Sequence, residues 1–139
     1  MQLLEKDILS MNENIDKLTD EYINILEDVV NIESPSLEKD RVDEVGRYFI
    51  ELSNKNGWEI EIKKFEDFGD VVTVIMNRNA TGGVITLSGH MDTVHPVGLF
   101  GNPPTKREGN KLLSIGGTNN HIHILIGIKP AQSLCVQDI

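Results

Sequence analysis

The chain has 139 residues, enough for one domain with a hydrophobic core, and its net charge is −9. Residues 1 to 70 contain 19 acidic and 8 basic side chains, whereas residues 71 to 139 contain 3 and 5. An acidic chain without a Lys/Arg cluster is a poor nucleic-acid binder. Because Cys135 is the one cysteine, no internal disulfide can form, which suits a protein of the reducing cytoplasm. Cys135 itself is interpreted as an inert thiol. We expect no membrane insertion, because no apolar run is long enough.

Two amphipathic helices are predicted after a polar lead-in over residues 1–13. The first should end near Ser34-Pro35, because proline disfavours helical geometry in the residue before it. Its apolar stripe consists of Ile15, Leu18, Tyr22, Leu26, Val29 and Val30. The second begins near Glu38 and ends at Asn56-Gly57, a left-handed stop. Its inward-facing residues should be Val42, Val45, Phe49 and Leu52.

The pattern then changes to strands. Trp58 to Lys63 alternates apolar and charged residues, which predicts a half-exposed strand. Residues 71–76 form a continuous apolar run, typical of a strand that is buried on both faces. Residues 84–87 form a third strand, and residues 106–112 a hairpin turned by Gly109-Asn110. The predicted fold is α/β: two N-terminal helices on a small mixed sheet.

The most informative segment is Leu87-Ser88-Gly89-His90-Met91-Asp92-Thr93-Val94. Its His90 and Asp92 should lie just past the carboxyl end of the third strand, which is expected to be buried. A neutral imidazole ligates a divalent metal well, and a carboxylate two residues on can hold that ring. In open α/β sheets, ligands bind beyond the carboxyl ends of strands.

At these residues the chain resembles a family of zinc-dependent metallopeptidases. The family includes glutamate carboxypeptidase, aminoacylase, acetylornithine deacetylase and succinyl-diaminopimelate desuccinylase. The resemblance covers roughly residues 14–113, with the opening helix ending Asn31-Ile32-Glu33-Ser34-Pro35-Ser36 and the later 100–110 segment. It implies that residues 14–139 are the N-terminal part of a larger catalytic domain.

The resemblance also implies a site and a reaction. In the family two zinc ions polarise an amide and activate a shared water. His90 would ligate one zinc, and Asp92 would orient that imidazole. The substrates implied are small peptides or N-acyl amino acids.

The resemblance is interrupted after residue 113. The family continues with a Gly-Pro-Gly stretch and then an Asp that bridges both metals, followed by Lys-Gly-Gly. Here Asn119 falls at the position of the bridging Asp, and a neutral amide is a poor bridge. Residues 114–123 are explained equally by compensating frame slips or by divergence. Residues 122–134 are predicted to begin a helix, although Pro130 would break or kink it. Within them, residues 124–134 resemble the start of the family's next helix.

The other candidate residues have weaker claims. His121 and His123 alternate as on a strand and could share a metal, but an accidental pair is the preferred interpretation. His95 is interpreted as a loop residue near the site. Glu108 and Asp70 are expected to be solvated turn carboxylates.

These observations give an expectation for function. By family, the chain is a zinc-dependent amide-bond hydrolase of the glutamate carboxypeptidase type, in a truncated form with at most partial zinc occupancy that is inactive on its own. The alternative is a non-catalytic metal- or partner-binding remnant domain. In that case an uncovered sheet edge predicts self-association.

Overall fold

A computed structural model describes residues 5–109, 111–114 and 125–129. Within these residues, two helices are followed by six short strands. In chain order they are α1 Glu5–Asn31, α2 Lys39–Lys55, β1 Glu59–Lys63, β2 Val71–Ile75, β3 Val84–Ser88, β4 Thr105–Glu108, β5 Lys111–Ser114 and β6 Leu125–Lys129. The combination of helices and strands is compatible with the expected α/β class.

The strands form three separate antiparallel pairs, β1–β2, β3–β6 and β4–β5. The expected single mixed sheet is therefore not found among the described residues. In the described part of the chain, parallel pairing is limited to one isolated bridge, which joins Pro35 to Thr93. β3 pairs with β6 and not with β2, so the two consecutive strands do not join one sheet.

The two helices differ in how well they are covered. In α2, Val42 and Val45 are buried as predicted, and Gly46 lets Val72 of β2 approach closely. α1 begins at Glu5, so the described part of the polar lead-in is helical, and it ends at Asn31. None of its side chains is buried. The spacing of the apolar residues from Ile15 to Val30 correctly predicted a helix. Most of these side chains, however, are exposed to solvent.

The strands are less buried than their sequences predict. Val71 is buried, but the next four residues of β2 are only partly covered and Met76 is 55% exposed. In β3, Ile85 and Leu87 are 70% and 60% exposed. β3 is therefore not a buried strand. Apolar composition alone could not reveal that the described residues provide too few partners to cover both faces.

The helix that was predicted from residue 122 is also wrong where the structure describes it. Residues 125–129 form β6, whose Leu125 pairs with Ser88 and whose Lys129 pairs with Val84. The segment Leu-Ile-Gly-Ile-Lys contains two β-branched isoleucines, which favour a strand, and a glycine, which disfavours a helix interior. Pro130 directly after it would also have interrupted a helix.

Asp70 is a further correction, since it is buried and not solvated. Its carboxylate accepts hydrogen bonds from Lys39 Nζ (2.8 Å) and the backbone amide of Phe65 (3.2 Å), and it forms an ion pair with Lys64 at 2.7 Å. Its own backbone amide donates to Asp43 Oδ1 at 2.7 Å. This cluster fastens the start of β2 to α2.

Candidate metal-ligand site

The segment after β3 is tied to the turn between α1 and α2. The Thr93 amide donates to the Ser34 carbonyl at 2.7 Å, and the Ser36 amide donates to the Thr93 carbonyl at 3.0 Å. These two bonds enclose the parallel bridge between Pro35 and Thr93. The Ser-Pro-Ser turn thus fixes the backbone that carries His90 and Asp92.

Two serine side chains reinforce this attachment. Ser34, which is buried, donates from Oγ to the Met91 carbonyl at 2.7 Å. The Ser36 hydroxyl lies against Asp92 Oδ2 and also 3.1 Å from the Thr93 carbonyl. A hydroxyl can donate to an ionised carboxylate, and such charge-assisted bonds are stronger than neutral ones. Ser36 therefore holds one oxygen of Asp92 in place.

The other oxygen of Asp92 faces the imidazole of His90. His90 Nδ1 lies 3.1 Å from Asp92 Oδ1 and 2.9 Å from the Asp92 carbonyl oxygen. Both oxygens are acceptors when the carboxylate is ionised, so this assigns the proton to Nδ1. In a neutral ring the lone pair is then on Nε2, the nitrogen that can ligate a metal. Asp92 therefore lies in contact with the ring nitrogen opposite Nε2.

The described residues supply one imidazole that could ligate a metal, together with its support, and not a complete zinc site. Catalytic zinc sites use three protein ligands and structural sites four. Within the described residues no three His, Cys, Asp or Glu side chains are grouped so that they could hold a metal ion. Asn119, His121, His123 and Cys135 lie outside the described residues.

Neither His95 nor Glu108 joins His90 in a metal-binding group among the described residues. His95 packs edge-on against Phe100, with ring centroids 4.8 Å apart, and is half-buried. This agrees with its interpretation as a loop residue. Glu108 is exposed and pairs with Lys106 at 2.7 Å, as expected for a solvated turn carboxylate.

A cavity of about 480 Å³ opens beside His90 and Asp92. Its walls come from α1, α2, β2 and β3, and they are mainly apolar. The apolar wall includes Val72, Val74, Ile85 and Leu87. The candidate ligand therefore stands at the edge of an apolar groove, the kind of surface that binds apolar ligands or covering segments.

Sequence reasoning missed the serine supports. Ser34 and Ser36 served only to place the end of the first helix and to support the family resemblance. Yet they contact residues 57 and 56 positions further along the chain, respectively. It also missed Glu33, whose two carboxylate oxygens accept from the Gly98 amide at 2.8 and 3.0 Å. The available signal was the run of three polar side chains around Pro35, next to a helix end.

Comparison with protein-family models, with curated proteins and with solved structures finds no match for this chain. Among the helices of the described residues, none has the length and apolar character needed to cross a membrane.

Proposed function

We propose that this chain contributes His90 as one zinc ligand, oriented by Asp92, to the centre of an amide-bond hydrolase similar to glutamate carboxypeptidase. The observation that carries the proposal is the contact of His90 Nδ1 with Asp92 Oδ1 at 3.1 Å. This pairing fixes the orientation of the ring and its tautomer. A cytoplasmic location is part of the proposal, since one cysteine suits a reducing compartment.

The chain's own contribution is positioning. A bound zinc would polarise the amide carbonyl and acidify a water molecule. Asp92 holds the Nδ1 proton of His90, Ser36 holds Asp92, and the Ser34 hydroxyl holds the backbone between them. The apolar groove would accept the non-polar part of a small peptide or N-acyl amino acid.

We further propose that the chain does not hydrolyse amides by itself. One imidazole cannot hold zinc in a catalytic geometry, and a general base must be within hydrogen-bond reach of the water. Among the described residues, the donors grouped around His90 do not reach three. Turnover would need further ligands and a base from residues beyond this group, such as those of a second chain.

The proposal is tested by zinc titration followed through the imidazole nitrogens in long-range ¹H–¹⁵N NMR spectra. We expect zinc to shift Nε2 of His90 while Nδ1 stays protonated. Asp92→Asn should weaken that binding by about 10- to 100-fold, and Ser36→Ala should weaken it less. His95→Gln is the matched control and should leave the His90 response unchanged.

The histidines at 121 and 123 are removed together in a His121→Gln, His123→Gln background, so that they cannot compete for zinc. If His90 does not respond to zinc in that background, the proposed ligand is wrong. Hydrolysis of N-acyl amino acids or C-terminal glutamate by the monomer would instead refute the proposed inactivity. Equal affinity in Asp92→Asn would refute the positioning role.

The second candidate is a non-catalytic metal- or partner-binding domain. It is favoured by the open groove and by the exposure of Ile85 and Leu87 beside it. Exposed apolar surface of this kind promotes association. Stoichiometric zinc without turnover, even after supply of candidate partner chains, would favour this function over the hydrolase.

A further inference from the structure

One side of α1 presents apolar side chains to solvent. Although α1 has 27 residues, none of its side chains is buried. We call the five most regular of these residues the α1 stripe. They are Ile8 (46% exposed), Met11 (54%), Ile15 (55%), Leu18 (38%) and Tyr22 (54%). An isolated polar helix would not need such a stripe, so a covering partner is indicated.

The α1 stripe has the spacing of a coiled coil. Its members are separated alternately by three and four residues, the a and d positions of a heptad. Ile25 and Val29 continue the same spacing towards the body of the domain, where both are half-buried. The row of a and d positions, which we call the seam, therefore runs from Ile8 to Val29 and covers three heptads. Three heptads is the shortest length at which this pattern indicates a coiled coil.

We propose that the α1 stripe binds the α1 stripe of a second copy of this chain in a parallel two-stranded coiled coil. The a positions hold Ile8, Ile15 and Tyr22, and the d positions hold Met11 and Leu18. In parallel coiled coils, β-branched residues at a with leucine at d favour two strands over three or four. Two of the three exposed a positions and one of the two d positions meet this rule.

The charges beside the seam favour the parallel orientation. In a parallel pair each g residue faces the e residue of the next heptad on the other helix. These facing pairs are Asp7 with Asn12, Asn14 with Thr19 and Glu21 with Leu26. None of them places like charges together. In a fully overlapped antiparallel pair, g faces g, which would bring Asp7 against Asp28 and cost stability.

The opposite side of α1 already has a role. Arg107 of β4 donates to Asn24 Oδ1 at 2.6 Å and to Glu27 Oε2 at 2.5 Å, and Thr105 donates to Asn31 at 2.7 Å. These polar contacts attach α1 to the domain and leave the α1 stripe accessible. An anionic membrane is disfavoured as the partner, because α1 carries eight acidic and two basic side chains.

The test is sedimentation equilibrium of the full chain over a concentration series. The wild type should approach twice the 15.5 kDa chain mass. Ile15→Glu, at an a position, should weaken dimerisation by more than about tenfold. Leu9→Glu is the matched control, because Leu9 is apolar and 58% exposed but lies off the seam, and it should remain dimeric. Far-UV circular dichroism checks that each variant is folded.

Orientation is tested by Met11→Cys in a Cys135→Ser background. Mild oxidation should give a disulfide-linked dimer, because d faces d only in the parallel register. A monomeric wild type, or equal effects of Ile15→Glu and Leu9→Glu, would overturn the proposal. So would dissociation by Ile85→Glu with no effect of Ile15→Glu, which would assign the interface to β3. Failure of Met11→Cys to cross-link a stable dimer would overturn the parallel orientation.

Discussion

Replacing Asp70 by Asn should destabilise the fold and make its stability less dependent on pH below 4. Asp70 is buried where β2 begins, and its carboxylate contacts Lys39 and Lys64 at 2.8 and 2.7 Å. An amide at this position can still accept a hydrogen bond, but it has no charge for the two ammonium groups. The ion pairs of Asp70 with Lys39 of α2 and with Lys64, which follows β1, are lost.

The magnitude follows from the pKa of Asp70. Hydrogen bonds from Lys39, then Lys64, lower that pKa from 3.8 to about 2. One pKa unit corresponds to about 1.4 kcal/mol, so the ionised form stabilises the fold by at most about 2.5 kcal/mol. Lys64 is mostly exposed, and solvent screening reduces this to about 1–2 kcal/mol.

The sign is that of a carboxylate with a depressed pKa. Its stabilisation is complete above the unfolded-state pKa of 3.8 and is lost as the pH falls towards about 2. The free energy of unfolding of wild type and variant is measured by urea unfolding at pH 7, 4 and 2.5, followed by Trp58 fluorescence. The Asp70→Asn deficit should be largest at pH 7 and should shrink at pH 2.5. Asp67→Asn, at an exposed neighbouring carboxylate, is the control. A deficit that is equal at pH 7 and 2.5 would refute the reasoning.

Two further predictions concern packing. Gly69→Ala should lower the free energy of unfolding by about 1–3 kcal/mol, because the new Cβ would lie 2.3 Å from Val42 Cγ1. The control is Gly82→Ala, whose Cβ meets nothing within 4 Å and which should change the urea midpoint little. Equal urea midpoints for the two variants would contradict the prediction. Thr86→Val should leave stability unchanged or raise it by about 1 kcal/mol, because buried Thr86 Oγ1 has no hydrogen-bond partner among the described residues; a lower melting temperature would show that the hydroxyl is used.

Local sequence patterns predicted the elements whose signals are short-range. α2 begins and ends within a residue or two of the prediction, and Val42 and Val45 are buried as expected. The hairpin β4–β5 turns at Gly109, whose φ of 60° suits glycine. These features depend on periodicity, helix ends and turns, which neighbouring residues decide.

For the candidate site, the contact between His90 and Asp92 could be predicted from the sequence, because one residue separates them. It could not show that Ser34 and Ser36 hold them, since those contacts span more than 50 residues of chain. Long-range hydrogen bonds leave no periodic signal in a single sequence.

What the amino-acid sequence by itself determined was therefore the set of helices and strands up to β5, and the His-x-Asp segment. Only the tertiary structure decided which apolar faces are covered. It left α1 exposed, buried Asp70 between two lysines and made residues 125–129 a strand beside β3. The physical reason is that burial and strand pairing depend on which distant segments meet, whereas helical periodicity and turns depend on adjacent residues.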